Sequence, residues 1–275
     1  MWYRETKEAS RKYVDLMWYK TTKFANWDPS KKIQIGDYGL IDKETGVFEP
    51  EGNIYDEPTI IPSGLHARET DIVQGDPIES YIACTGRQIS REAHFGAEVA
   101  LSGVAQASIK GDWDFGRKRG AALVMYNARM SSLPGPRLKT VAASPILEDK
   151  CVVTEVYTCT AYCLYLSNEK QDRLRVEFRA PPAVPVAAGV TAGGSVGFGW
   201  QKEHRGGLYH DALHSQGEHT YYPLFNLKKQ GKTISRRDSP EPESPGIDDV
   251  LWTDAPVPWD MLDEYGNEFG VDDSD

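Results

Sequence analysis

Every odd position from 95 to 115 carries an apolar residue or glycine: Phe95, Ala97, Val99, Leu101, Gly103, Ala105, Ala107, Ile109, Gly111, Trp113 and Phe115. The positions between them hold mostly small or polar groups, among them Glu98, Ser102, Gln106, Lys110, Asp112 and Asp114. Successive side chains of a strand point to opposite faces, so this period of two predicts one-faced β structure. Strands average about 5 to 6 residues. A run of 21 residues is far longer and is expected to bend at a glycine.

A second segment is just as restrictive. Residues 180–201, APPAVPVAAGVTAGGSVGFGWQ, hold no ionisable side chain in a chain that is 26% Asp, Glu, Lys and Arg. About 20 apolar residues suffice for a transmembrane helix, but Pro181, Pro182 and Pro185 and five glycines oppose a helix here. Large residues instead fall on even positions (Val186, Val190, Val196, Phe198, Trp200) and small ones on odd positions. At about 3.3 Å per residue, 186–200 would extend about 50 Å, whereas a tilted transmembrane strand needs only about 9 to 11 residues.

Charge divides the chain. From 238 to 275 there are 13 acidic residues and no Lys or Arg, which leaves 31 basic against 28 acidic side chains before them. The chain up to residue 237 is therefore mildly basic, and two regions are expected: a body, 1–231, and an acidic tail, 232–275. Like-charge blocks are usually solvated and disordered. This tail also contains Trp252, Trp259 and Phe269, which suit docking on the body's own basic surface. No signal-peptide pattern opens the chain, so a cytoplasmic location is expected. The four cysteines form no C-x-x-C pair; three of them, Cys151, Cys159 and Cys163, fall on odd positions of a Val, Thr and Tyr-rich β stretch, as small buried residues on one face.

Enzymatic readings rest on two patterns. Gly193, Ser195 and Gly197 spell the G-x-S-x-G of a nucleophile elbow, but no helix-forming sequence follows the serine. His210 and His214 have the i, i+4 spacing of a helical metal pair, yet HDALH lacks the glutamate of a metalloprotease at its second position. A β-rich hydrolase using Ser195 or a His210/His214 metal site, and a plain β-sandwich binding module, remain the alternatives. There is no P-loop, and a sequence pI near 5.2 fits nucleic acid poorly. No cofactor and no metal are expected. GRKRG, 116–120, reads as a turn, a solvated loop in preference to a nuclear-localisation or phosphate-binding patch.

Within residues 4–17, Ala9, Tyr13 and Leu16, with Val14 and Met17 alongside, recur at helical spacing. The rest of that region is basic, with Arg4, Lys7, Arg11, Lys12, Lys20, Lys23, Lys31 and Lys32 against four acids in residues 1–32. A solvated face and attraction to anionic headgroups, worth about 1 kcal/mol per basic residue, are both open. KKIQIGDYGLIDKETGVFEPEGNIY follows as two or three short strands broken by glycine turns, and LPGP at 133–136 ends a later β unit.

In order, the basic N-terminal helix, KKIQIGDYGLIDKETGVFEPEGNIY, the long alternating segment, DKCVVTEV opening another β region, and the glycine-rich strand before YYPLFNLKK resemble the N-terminal domain of the gasdermin family, in particular its small fungal members. The resemblance covers residues 1–230, and VVTEV at 152–156 is its closest short match. It implies an α+β fold with a twisted, largely antiparallel sheet and flanking helices, followed by a short disordered acidic tail. It further implies a non-enzymatic pore former that binds acidic inner-leaflet phospholipids through Arg4, Lys7, Arg11, Lys12, Lys20 and Lys23. The chain would oligomerise with itself or with a gasdermin homologue and move from cytoplasm to plasma membrane. Its inserting residues would be Val99, Leu101, Ala105, Ile109, Val186, Val190, Val196 and Phe198. An activating protease would find a dibasic cleavage site at Arg236 and Arg237, lifting inhibition by the tail.

Overall fold

The computed structural model describes residues 2–58, 60, 71–94, 108–116, 119–141, 144–168, 172–179, 199–204, 206–214, 216–231 and 252–260. Helix α1 (Trp2–Thr21) buries Ala9, Tyr13, Val14 and Met17, the stripe that the spacing predicts. It stops where Thr22 enters the left-handed region at φ 57° and its N–H reaches back 2.7 Å to the Trp18 carbonyl, satisfying an otherwise orphaned acceptor.

The chain then forms β1 (Phe24–Ala25), β2 (Asp37–Ile41), β3 (Phe48–Asn53), β4 (Val73–Gln74), β5 (Ile78–Cys84), β6 (Arg87–His94), β7 (Ser108–Asp114) and β8 (Ala121–Ser132). Helix α2 (Gly135–Val141) precedes β9 (Cys151–Cys159), β10 (Ala161–Leu166), β11 (Arg173–Arg179), β12 (Gly199–His204), β13 (Leu208–Leu213), β14 (Tyr221–Gln230) and β15 (Trp252–Asp254). The protein is mainly β, with few helices among the described residues. Every strand pairing among them is antiparallel. The expected short strands after α1 are the β2–β3 hairpin. LPGP does end β8, but it also opens α2, which the sequence reading does not anticipate.

Eleven strands form the main sheet and four, in the order β12, β11, β7, β6, form a second. Strands β8 and β10 are covered on both faces. Leu123, Met125, Tyr162 and Leu164 pack with Tyr13 and Met17 of α1. Ala122, Val124, Ala161 and Cys163 pack with Ile109, Trp113, Val176 and Phe178 of the second sheet. The layers are therefore helix, main sheet, second sheet. A further core joins β2, β3, β9, β14 and α2 through residues such as Phe48, Leu138, Val153 and Phe225.

The alternation continues through β7, where Ile109 and Trp113 are buried and Asp114 is exposed. Glycine at 111 makes room for the indole, since a Cβ there would lie 2.0 Å from the Trp113 ring. Gly111→Ala is expected to cost about 1 to 3 kcal/mol by overpacking, read as a lower urea midpoint. An unchanged midpoint would show that the ring simply moves aside.

Two expectations are corrected. The cysteines do not share one face: Thr160 interrupts the strand between β9 and β10, so Cys159 faces α1 and Cys163 faces the second sheet, while Cys151 lies in the third core. All remain buried and reduced, and burial pushes the Cys84 thiol up to about 12. The tail is not disordered throughout, because β15 adds a strand beside β14.

Candidate functional site

The second sheet is a folded-over continuation of the first. In the main sheet β5, β8, β10 and β13 are successive neighbours. In the second sheet β6, β7, β11 and β12 follow in the same order. Each strand is joined to its counterpart in the other sheet by a short connection, here called a corner, between Cys84 and Arg87, Asp114 and Ala121, Leu166 and Arg173, and His204 and Leu208. All four lie at one end of the second sheet, where Arg87 pairs with Asp114, Asp114 with Arg173, and His204 with Leu174. At the opposite end Ser108 pairs with both His94 and Arg179, and Arg179 with Gly199. His94, Ser108, Arg179 and Gly199, the described residues that flank the two alternating sequences, therefore lie together at one end of the second sheet.

The second sheet has two unlike faces. Ile109, Trp113, Leu174, Val176 and Phe178 point into the core. Their neighbours in sequence form ion pairs on the other face: Lys110 lies 3.9 Å from Glu177, and Arg173 Nε donates to Asp112 at 2.8 Å. The hydrogen bond from Arg173 holds the Asp112 carboxyl below its ordinary value, against some burial.

Residues 252–260 dock on the body at several points. Trp252, Thr253 and Asp254 pair with Gln230, Lys229 and Lys228. The Trp252 indole donates to the Leu138 carbonyl at 2.9 Å, and Lys228 lies 2.9 Å from Asp254. The Lys228 hydrogen bond lowers the Asp254 pKa. Ala255 is buried, its N–H bonded to the Leu227 carbonyl. Trp259 reaches α1: its indole donates to buried Asp15 at 3.0 Å, and the Arg11 guanidinium stands 4.6 Å over its ring.

The basic residues expected to contact lipid have different surroundings. Arg11, beside Trp259, also donates to the Lys43 carbonyl at 2.6 Å. Lys12 borders an open cleft of about 340 Å³ with Glu8, Arg119 and Asn168. Burial first, then the Arg119 charge, lowers its pKa. Lys23 pairs with Glu155 at 2.6 Å and lies over the Tyr157 ring. Lys20 is exposed, next to Tyr19, which is 77% exposed. Arg4 and Lys7 lie on α1.

Of the expected inserting residues, Ile109 is 2% exposed in the core between the sheets. Val99, Leu101, Ala105, Val186, Val190, Val196 and Phe198 lie outside the described residues, as do Ser195, Phe269, Arg236 and Arg237.

The helical histidine pair is corrected. His210 sits in β13, opposite Leu164, and His214 lies one residue past that strand. Four residues of strand span about 13 Å, too far for one metal ion. His210 packs on Trp27 with ring centroids 4.8 Å apart, and burial lowers its pKa. His214 Nδ1 instead accepts from the Glu218 N–H at 3.2 Å. No metal-binding group of His, Cys, Asp and Glu occurs among the described residues.

Sequence reasoning missed Asp15, the partner of Trp259, and three of the four corners, while GRKRG at 116–120 is the turn it expects. Gly206 and Gly207, both in the left-handed region at φ 62° and 67°, mark a further corner by a readable signal, a Gly-Gly pair. No family model matches the chain, and no curated protein matches it.

Proposed function

We propose that this chain permeabilises membranes: its two hairpins unfold from the main sheet at the four corners and insert as barrel strands, in a fold of the gasdermin N-terminal kind. The carrying observation is the repeated strand order. Straightening the corners turns β5 with β6, β7 with β8, β10 with β11 and β12 with β13 into four continuous strands without changing a neighbour. Rearrangement then costs the core between the sheets but keeps the hydrogen-bond ladders.

The lengths and faces fit this reading. Residues 87–114 and 173–204 give 28 and 32 residues per hairpin, and each strand needs about 9 to 11 to cross a bilayer. A barrel must close its backbone hydrogen bonds and show one apolar and one polar face. The face now buried by Trp113, Val176 and Phe178 would meet lipid, and the Lys110, Asp112, Arg173 and Glu177 face would meet water.

Acidic phospholipids are the proposed membrane partner, with exposed Tyr19 and Lys20 at the end of α1 as one contact. The tail restrains the body by holding Arg11 and Asp15 of the same helix. Further copies of the chain or a homologue would complete the barrel, and a protease acting at Arg236 and Arg237 would free the tail.

Dye release from vesicles tests the proposal. A chain ending at Gly231 is expected to empty vesicles rich in acidic phospholipid and to spare neutral ones; no release from either would overturn it. Lys12→Glu with Lys20→Glu removes two contacts worth about 1 kcal/mol each. Sedimentation with acidic vesicles is expected to weaken about thirty-fold or more. Unchanged sedimentation would place the lipid contact elsewhere.

A further inference from the structure

Strand β12 breaks the pattern of the sheet it belongs to. Its even positions, Trp200, Lys202 and His204, are paired with Phe178, Val176 and Leu174, so they belong to the face that packs on the main sheet. Two of the three are polar. Strand β13, directly beneath, has the same irregularity: Asp211 is opposite Cys163 and between Tyr209 and Leu213, which pack against that core.

These misplaced polar groups meet one another. Lys202 Nζ lies 3.9 Å from the centre of the Tyr209 ring and 3.5 Å from Asp211. The His204 ring stacks on Tyr209 at 5.5 Å with only 12° between planes. The Trp200 indole donates to the Ala212 carbonyl at 3.2 Å. The chain passes from one layer to the other between His204 and Leu208, and a Cβ on Gly207 would lie 2.3 Å from the Tyr165 hydroxyl.

We propose that Trp200, Lys202 and His204 on β12, with Tyr209 and Asp211 on β13, form a clasp that holds the second hairpin folded on the main sheet beside the glycine corner. β12 and β13 are edge strands of their sheets. Inward-facing charge on an edge strand also blocks pairing with other chains. Here the two charges satisfy each other across the layers and close the open side of the core. They are weak contacts individually, since Lys202 and Asp211 side chains are 44% and 33% exposed, and exposed pairs of this sort are readily broken. That weakness suits a contact meant to open locally while the strongly buried β8 and β10 stay intact.

The consequence for membrane entry rests on the pore reading; the clasp does not. Amide hydrogen exchange of the full chain in buffer, without lipid, therefore tests it independently. Lys202→Met keeps the aliphatic stem and removes both the ring contact and the ion pair. Trp200→Phe keeps an aromatic ring against Phe178 and removes the indole donor. The double variant is expected to exchange about ten-fold faster in β11, β12 and β13, with β9 and β14 unchanged. Arg173→Gln, which breaks an ion pair inside the second sheet, is expected to leave β13 at the wild-type rate. Two results overturn the clasp: wild-type exchange of β12 and β13 in the double variant, or equal acceleration in β9 and β14, which would indicate general destabilisation.

Discussion

Ala105→Arg and Val196→Arg, each introduced singly into the chain ending at Gly231, are expected to abolish dye release while leaving vesicle binding intact or stronger. Ala105 shares the odd positions of Ile109 and Trp113, and Val196 the even positions of Val176 and Phe178, four residues that face the core between the sheets. If those faces turn to lipid, an arginine at mid-membrane costs about 2 to 4 kcal/mol. That is a factor of roughly 30 to 1,000 for each chain inserted. The added positive charge favours an acidic surface, so binding and leakage should separate. Full leakage by either folded variant would count decisively against insertion of these segments.

The next largest effect is expected from the tail. Ending the chain at Gly231 removes the β15 pairing, the Lys228–Asp254 contact and the Trp259 bond to Asp15. Leakage from acidic vesicles should rise at least ten-fold over the full chain at equal concentration. Trp259→Ala isolates one part of this restraint. It loses a hydrogen bond to a carboxylate and the Arg11 ring contact, together worth about 2 kcal/mol, and should recover part of the increase. A soluble, folded chain ending at Gly231 that is no more lytic than the full chain would exclude restraint by residues 232–275. Activation by a second protein would then become the better account.

Legibility followed the range of the interactions. The odd positions of β7 were readable because a strand's two faces are written into adjacent residues, and the stripe on α1 for the same reason at a longer period. His210 and His214 misled because a spacing of four keeps two residues on one side of a strand as well as of a helix. Cys159 and Cys163 misled because a single residue, Thr160, reverses which face follows, and nothing in its identity announces that. Trp259 could be suspected of docking from its presence in an acidic tail. Its partner Asp15 lies 244 positions away, beyond any local pattern. The matched order of the two sheets is likewise a property of pairing between distant strands, so the hairpins could be guessed singly but not as a folded-over pair.

The connection before β15 alters what a protease would accomplish. Gln230 and Trp252 are paired neighbours, a junction that about 2 to 5 residues can make, yet residues 231–251 supply 21. Arg236 and Arg237 fall among those 21 residues. Cutting there removes none of the contacts made by 252–260; it removes only the tether. A covalent link of 21 residues keeps the segment at an effective concentration of about 1 mM. After the cut, that figure falls to the concentration of the fragment itself. Nicked protein should therefore stay quiet when concentrated and become lytic on dilution, with a delay set by the lifetime of the noncovalent complex rather than by the rate of cleavage.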